Sequence, residues 1–145
     1  MDERRILVTG ARTWEHIALV REFLAKYGPG RLVHGRARGL DTIAASIASR
    51  LQGWSVEAHP ADWGRYGNQA GPLRNQEMVD AGAALCGAFP DVTSIGTFDC
   101  VARAERAGIH IVWVPAPGMH VDQIRTCMQH ARRRLEGQRL HGRTA

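Results

Sequence analysis

The chain has 145 residues and a mass of 16.0 kDa, which suffices for one packed core and is too little for two ordinary domains. Hydrophobic residues make up 44% and charged residues 23%, values that exclude a disordered or collagen-like chain. No apolar run reaches the roughly 20 residues of a membrane-spanning helix. The first residues also lack the apolar stretch of a secretory signal. We therefore expect a cytoplasmic protein that does not contact the membrane.

The charge and the metal-binding residue types narrow the range of ligands. A net charge of +5 favours anionic partners, although charge alone does not separate a nucleotide from a nucleic acid. The 3 cysteines form no CxxC pair, and the 7 histidines have no HExxH or similar spacing. We therefore expect reduced thiols, no metal site and no cofactor.

Short apolar runs alternate with helical patterns in the first half of the chain, which is typical of βαβ units that build a parallel sheet. A continuous apolar run predicts the first strand over 5–9, and apolar residues at helical spacing predict a helix over 17–27. The second strand is predicted over 31–34 and the second helix over 43–51. The third strand, over 55–59, alternates apolar and polar residues and is therefore expected at an edge of the sheet.

The second half begins with a long segment, 60–71, whose glycines and aromatic residues predict a functional loop. Pro72 suits the first turn of a third helix, which ends at Gly82. The fourth strand is predicted over 84–89, and a helix from Ser94 to Gly108 leads to the fifth strand. That strand is predicted over 109–114.

An amphipathic helix with its apolar stripe over 121–135 closes the pattern. The predicted fold is an α/β, single Rossmann-like three-layer sandwich with a mostly parallel five-stranded sheet and a C-terminal helix. We divide it into a Rossmann-like core over 1–115, the helix over 116–137 packed on that core, and a flexible tail over 138–145. In such sheets, ligands bind beyond the carboxyl ends of the strands, where the strand order reverses.

The loop after the first strand contains Gly10 and leads towards a helix. Exposed amide N–H groups and the positive end of a helix attract phosphate there, and Gly10 would let an anion approach the backbone closely. The alternative is a plain turn in which Thr13 caps the helix.

The loop after the second strand carries Arg36 and Arg38 between two glycines. Asp41, which follows it, would repel a phosphate and suits ribose hydroxyls or the support of an arginine. A simple helix cap is the alternative reading of Asp41.

Two further features lie on the segment 60–71 and the helix after it. Trp63 on a flexible loop would stack on a nucleotide base, a contact worth about 1–3 kcal/mol, or would be buried as an anchor of the loop. Arg74 lies in the predicted first turn of a helix, where the helix dipole disfavours positive charge. It should therefore have an anionic partner, either a ligand phosphate or a carboxylate such as Asp99, unless it is simply exposed.

The loop after the fourth strand ends in Ser94, Gly96 and Thr97, whose hydroxyls and amides predict another anion-binding turn. Five arginines are expected on the same rim of the sheet and together predict a pocket for a phosphorylated ligand. They are Arg12, Arg36, Arg38, Arg65 and Arg74.

Four motifs in this order resemble the YspA-like branch of the SLOG superfamily, over about Arg5 to Val114. They are Leu7-Val8-Thr9-Gly10-Ala11-Arg12-Thr13-Trp14, His34-Gly35-Arg36-Ala37-Arg38-Gly39-Leu40-Asp41, Pro60-Ala61-Asp62-Trp63 with Ala70-Gly71-Pro72-Leu73-Arg74-Asn75, and Gly96-Thr97-Phe98-Asp99. The superfamily includes the LOG phosphoribohydrolases, the DNA-processing protein DprA and sensor domains that bind signalling nucleotides. In LOG enzymes a catalytic Arg precedes a Pro-Gly-Gly-x-Gly-Thr-x-x-Glu motif. Here Arg74 and Gly96-Thr97 resemble that pattern, with Cys100 at the Glu position and Asp99 before it.

The resemblance implies three functions. The first is a domain that senses or sequesters a nucleotide-derived ligand, and the second is a hydrolase of the N-glycosidic bond of nucleoside monophosphates. In the hydrolase, Arg74 would orient the 5′-phosphate and Asp99 would stabilise the positive charge on the ribose or activate water. The third is a DNA-binding module similar to DprA, and a homodimer is expected from the superfamily. The residues expected to bind the ligand are Thr9, Gly10, Arg12, Thr13, Trp14, Gly35, Arg36, Arg38, Gly39, Asp41, Asp62, Trp63, Asn75, Ser94, Gly96 and Thr97.

Overall fold

The computed structural model describes the backbone of residues 3–142 and the side chains of residues 3–138. Its centre is a five-stranded sheet in the order β3-β2-β1-β4-β5, in which every pair of neighbours is parallel. The order reverses between β1 and β4, because β2 and β3 lie on one side of β1 and β4 and β5 lie on the other. The strands are β1 (Arg5–Gly10), β2 (Arg31–His34), β3 (Ser55–Ala58), β4 (Leu85–Phe89) and β5 (His110–Trp113).

Helices cover both faces of the sheet, and the predicted Rossmann-like three-layer fold is confirmed. Alternate residues of β1 point to opposite faces: Ile6 packs with α1 and α2, and Leu7 packs with α4 and α5. The last helix, α6, packs its buried Met128, Ala131 and Leu135 against α5. The helices are α1 (Ile17–Tyr27), α2 (Leu40–Ala48), α3 (Trp63–Tyr66), α4 (Ala70–Asp80), α5 (Ile95–Arg106) and α6 (Val121–Gly142). No helix in the described part of the chain is long and apolar enough to cross a membrane.

The predicted third strand lies at the edge of the sheet, as its alternating pattern indicated. Three residues predicted on buried helix faces are instead exposed, because they stand at or beyond a helix end where the neighbouring element no longer covers them. Ile17 begins α1, Leu51 follows the end of α2, and Val121 begins α6.

The segment 60–71 is largely helical, and its prediction as a loop is wrong. The Asp62 carboxylate accepts a hydrogen bond from the Arg65 amide at 3.2 Å and thereby caps the N-terminus of α3. A single 3₁₀ turn, Gly67–Gln69, then leads into α4, which begins at Ala70, before Pro72. Proline is tolerated there because the first-turn amide has no partner within the helix.

The C-terminal helix continues to Gly142, beyond the boundary predicted at residue 137. Residues 143–145 of the predicted tail lie outside the described residues, and the flexibility of the tail stays a prediction.

Candidate functional site

The carboxyl ends of β1 and β4 border a cleft of about 590 Å³, at the point where the strand order reverses. We call it the main cleft. Its walls are the loops after β1, β2 and β4, the second and third turns of α4, and the first turn of α5. It brings together most of the predicted site residues: Thr9, Gly10, Arg12, Thr13, Arg38, Asp41, Arg74, Asn75, Ser94, Gly96 and Thr97.

A second cleft of about 700 Å³, the side cleft, adjoins the main cleft. The two clefts share Ala37 and three arginines as lining residues: Arg12, Arg38 and Arg74. The side cleft adds the predicted residues Gly35, Arg36 and Trp63. Sequence reasoning missed five lining residues of the main cleft: Ala11, Ala37, Met78, Thr93 and Ile95. All but Thr93 have apolar side chains, which carry no chemical signal of a site.

Four arginines line the two clefts, and none of them has a carboxylate partner among the described residues. Arg12, Arg36 and Arg38 are exposed and form no ion pair within residues 3–138. Arg65 was expected on the same rim, but its guanidinium lies 5.0 Å from the ring centre of Tyr66 and lines neither cleft. The clefts therefore hold uncompensated positive charge, which favours an anionic ligand.

Arg36 has a φ of 57°, a left-handed conformation that a residue with a side chain seldom adopts. Its amide donates a hydrogen bond to Nδ1 of His34 at 2.9 Å, which requires that nitrogen to be unprotonated. Burial, helped by the charges of His59, Arg36 and Arg74, lowers the pKa of His34 and keeps the ring neutral. The buried ring thus holds the strained loop in place.

Asp41 holds the same loop from the other side. One of its oxygens, Oδ2, accepts hydrogen bonds from the amides of Gly35 at 2.9 Å and Ala37 at 3.2 Å. Burial raises the pKa of Asp41 to about 6, against the opposing effect of those bonds and of the Arg74 charge. Asp41 pairs with no arginine within residues 3–138, so the predicted support of an arginine is not observed among the described residues.

Arg74 is fixed by neutral acceptors. One guanidinium nitrogen donates to the carbonyl of Gly35, and Nε donates to Oδ1 of Asn75 at 2.9 Å. A side chain at Gly35 would overlap the guanidinium, so only glycine permits this approach. Because α4 begins at Ala70, Arg74 lies in the second turn, and the argument from the helix dipole at the first turn does not apply. Its positive charge faces both clefts.

Asp99 is not the partner of Arg74, and it lines neither cleft. Its carboxylate accepts hydrogen bonds from Arg103 Nε and from Asn75 Nδ2, both at 2.9 Å. Asn75 therefore lies between the two residues that the sequence pairs in catalysis. The structure does not bring Arg74 and Asp99 together across a shared cavity.

The loops after β1 and β4 meet at the main cleft, where the Thr13 hydroxyl donates to Asp91 Oδ2 at 2.6 Å. Thr13 does not cap α1, which begins at Ile17. Within the described chain, the amides of Arg12 and Thr13 in the loop after β1 donate to no backbone carbonyl. The same is true of the amides of Gly96 and Thr97 in the first turn of α5. Free amides on two neighbouring loops are a geometry suited to an anion, and the binding of an anion there stays a prediction.

Several predicted ligand-binding residues have structural roles instead. Trp14 is 3% exposed, packs edge-on against Phe89, and donates its indole N–H to the carbonyl of His16 at 3.1 Å. A side chain at Gly10 would lie 2.6 Å from Cβ of Leu40, so this glycine lets α2 pack closely in addition to lining the main cleft. Gly39 has a φ of 75° and faces the carbonyl of Ala11, which no Cβ would allow. Asp62, as described above, caps α3.

Trp63 is 49% exposed and rests on the first turn of α4, with its ring 3.2 Å from the position a Cβ would take at Gly71. It is therefore neither a free flap nor a buried anchor. One side of its ring contacts the protein, and the residue lines the side cleft.

Comparison with known proteins places this geometry in a family. A family model described as YspA, cpYpsA-related SLOG family matches residues 4–66, which include β1, β2, β3 and the first two loops of the main cleft. The chain belongs to this family. The Gene 61 protein of Mycobacterium phage D29 is 45% identical over 119 residues, covering 75% of this chain and 94% of that protein. The predicted resemblance is confirmed, and membership is consistent with binding or processing of nucleotide-related ligands.

Proposed function

We propose that this protein binds a nucleotide or a nucleotide-derived phosphorylated ligand in the main cleft, as a sensing or sequestering domain. The observation that carries the proposal is the convergence of Arg12, Arg38 and Arg74 on a cavity that also receives free amides from two loops. Guanidinium groups and free amides are the usual partners of phosphate oxygens. A cavity of about 590 Å³ lies within the roughly 300–1,000 Å³ typical of small-molecule sites.

Hydrolysis of an N-glycosidic bond has less support. A carboxylate must reach the ribose to stabilise its developing positive charge. Asp99 is held by Arg103 and Asn75 outside the cleft. Among the described residues, Asp41 is the carboxylate that lines the main cleft. Its Oδ2 holds the loop after β2, and Asp41 is not the residue that the resemblance pairs with Arg74 in catalysis.

Binding to extended nucleic acid also has less support, because the unpaired arginines surround a cavity instead of following a continuous groove. A single-strand-binding protein would show affinity for long strands that falls steeply with salt and weak affinity for mononucleotides. Our proposal predicts the opposite order of affinities.

The test is calorimetry with a panel of mononucleotides, cyclic nucleotides and ADP-ribose derivatives, followed by chromatography for released base. Replacing Arg38 with Ala should weaken binding of any hit about tenfold or more, because hydrogen bonds to charged groups contribute about 1.5–3 kcal/mol. Arg21→Ala is the matched control, since Arg21 is an exposed arginine of α1 outside both clefts and its loss changes the net charge equally. A panel without any binding, or equal losses in the two variants, would refute the proposal. Release of free base would show turnover and favour the hydrolase.

A further inference from the structure

The two carboxylate oxygens of Asp41 have different surroundings. Oδ2 accepts the amides of Gly35 and Ala37, whereas Oδ1 accepts no hydrogen bond from the described residues. Within the described part of the chain, no fully buried side-chain oxygen or nitrogen lacks a partner. Oδ1 must therefore be reached by solvent, although the residue as a whole is only 5% exposed. Since Asp41 lines the main cleft, this oxygen faces the cleft.

A free carboxylate oxygen in this cleft selects a particular kind of ligand group. Arg12, Arg38 and Arg74 line the same cavity, and none of them pairs with Asp41 within residues 3–138. A phosphate placed against Oδ1 would be repelled, because both groups are anionic. A hydroxyl can donate to Oδ1 while a phosphate on the same ligand meets the arginines and amides. A sugar phosphate carries both groups a few bonds apart.

We propose that Oδ1 of Asp41 accepts a hydrogen bond from a ribose hydroxyl of the bound ligand, and that Asp41 selects ribonucleotides over deoxyribonucleotides. This inference rests on the proposed function and specifies the class of nucleotide. Asp41 is suited to the role because its bonds to the loop after β2 fix the carboxylate before the ligand arrives. A ligand without the hydroxyl would leave Oδ1 desolvated and unpaired.

The test compares the tightest-binding ribonucleoside 5′-monophosphate with its 2′-deoxy and 3′-deoxy counterparts, in the wild-type protein and in Asp41→Asn. The asparagine side-chain oxygen can still accept the amides of Gly35 and Ala37, while its NH₂ group presents a donor to the cleft where the carboxylate presented an acceptor. Asp122→Asn is the matched control, because this substitution removes the same charge. Asp122 is an exposed residue of α6 that pairs with Arg125.

The wild-type protein and the Asp122→Asn control should prefer the ribonucleotide over at least one deoxy form by about tenfold. In Asp41→Asn the ratio should fall several-fold, because a neutral amide forms a weaker hydrogen bond with a hydroxyl than a carboxylate does. The deoxy form should bind this variant at least as tightly as it binds wild type, because a negative charge near the phosphate has been removed. A merely structural role of Asp41 would weaken both ligands equally.

An equal ribo-to-deoxy ratio in wild type and Asp41→Asn would overturn the inference, as would an equal loss of affinity for both ligands. In either case, continued nucleotide binding by wild type that is weakened in Arg38→Ala would leave the proposed function standing. If no nucleotide binds the wild-type protein, the proposed function and the inference fall together.

Discussion

Asp41→Asn is expected to stabilise the protein at neutral pH, although it removes a residue from the centre of the site. Burial raises the pKa of Asp41 from its ordinary value of 3.8 to about 6, even though the amides of Ala37 and Gly35 and the charge of Arg74 act in the opposite direction. The folded protein therefore holds this carboxylate in an environment that disfavours its charge. An asparagine avoids that cost because it never ionises.

The size and sign of the effect follow from proton linkage. Each unit of pKa shift corresponds to about 1.4 kcal/mol, so the penalty on the free energy of unfolding at pH 7.5 is on the order of 2–3 kcal/mol. Below about pH 4 the carboxyl is protonated in both the folded and the unfolded state, and no penalty exists. Between about pH 4 and 6 the unfolded state loses its proton first, so the stability of the wild-type protein falls as the pH rises and then levels off.

Urea unfolding of wild type, Asp41→Asn and the control Asp122→Asn at pH 7.5 and pH 5 measures this dependence. The stability gained by Asp41→Asn should be about 2–3 kcal/mol at pH 7.5, a rise of very roughly 5–12 °C in melting temperature, and clearly smaller at pH 5. A gain that is the same at both pH values would refute the linkage. A loss at pH 7.5 would show that the charged bonds to Gly35 and Ala37 outweigh the cost of burial. Retention of a destabilising charge at a cleft is typical of functional residues.

Three further predictions concern residues outside the proposed ligand contacts. Trp14→Ala should lower the free energy of unfolding by about 3–5 kcal/mol, because it empties part of the core. Trp63→Ala, at a half-exposed residue, should lower it by less than about 1 kcal/mol. Urea unfolding compares the two variants, and equal losses would contradict the buried position of Trp14. Asp99→Asn should lower the free energy of unfolding by about 1–3 kcal/mol, since it weakens a buried charge pair. It should leave the nucleotide affinity measured by calorimetry unchanged. A loss of affinity would indicate that Asp99 does contribute to ligand binding. The hydrogen bond from Arg5 lowers the pKa of Glu57 to about 2, so its charge stabilises the fold above its ordinary pKa and loses this effect as the pH falls towards 2. Glu57→Gln should therefore lower the free energy of unfolding by about 1 kcal/mol at pH 7, a figure reduced for partial solvent exposure, and by much less at pH 3. Urea unfolding at the two pH values measures this, and a loss of stability that does not depend on pH would refute the ion pair.

Local patterns predicted the architecture well because they act within single elements. The run over 5–9 is apolar at three of the four buried positions of β1, Thr9 being the fourth, and the alternation over 55–59 correctly indicated an edge strand. The loops that follow parallel strands meet at one edge of the sheet by topology alone. The location of the main cleft, and the presence of Arg12 and Arg38 in it, were therefore predictable without coordinates.

Other features depend on contacts between residues far apart in the chain. Trp14 and Trp63 both lie in segments that the sequence predicts as loops, yet one packs against Phe89 in the core and the other lines a cleft. Arg74 is oriented by the carbonyl of Gly35, and Asp99 is drawn out of the cleft by Arg103 and Asn75.

The amino-acid sequence by itself determined the order of strands and helices, the edge of the sheet where the loops gather, and the positive charge collected there. The tertiary structure alone decided which polar side chains reach the cavity and which serve to hold its walls. The reason is that a repeating pattern of apolar and polar residues indicates which side of one helix or strand faces the core and which faces solvent. The direction of a single arginine or aspartate side chain depends instead on the partner that packing places beside it.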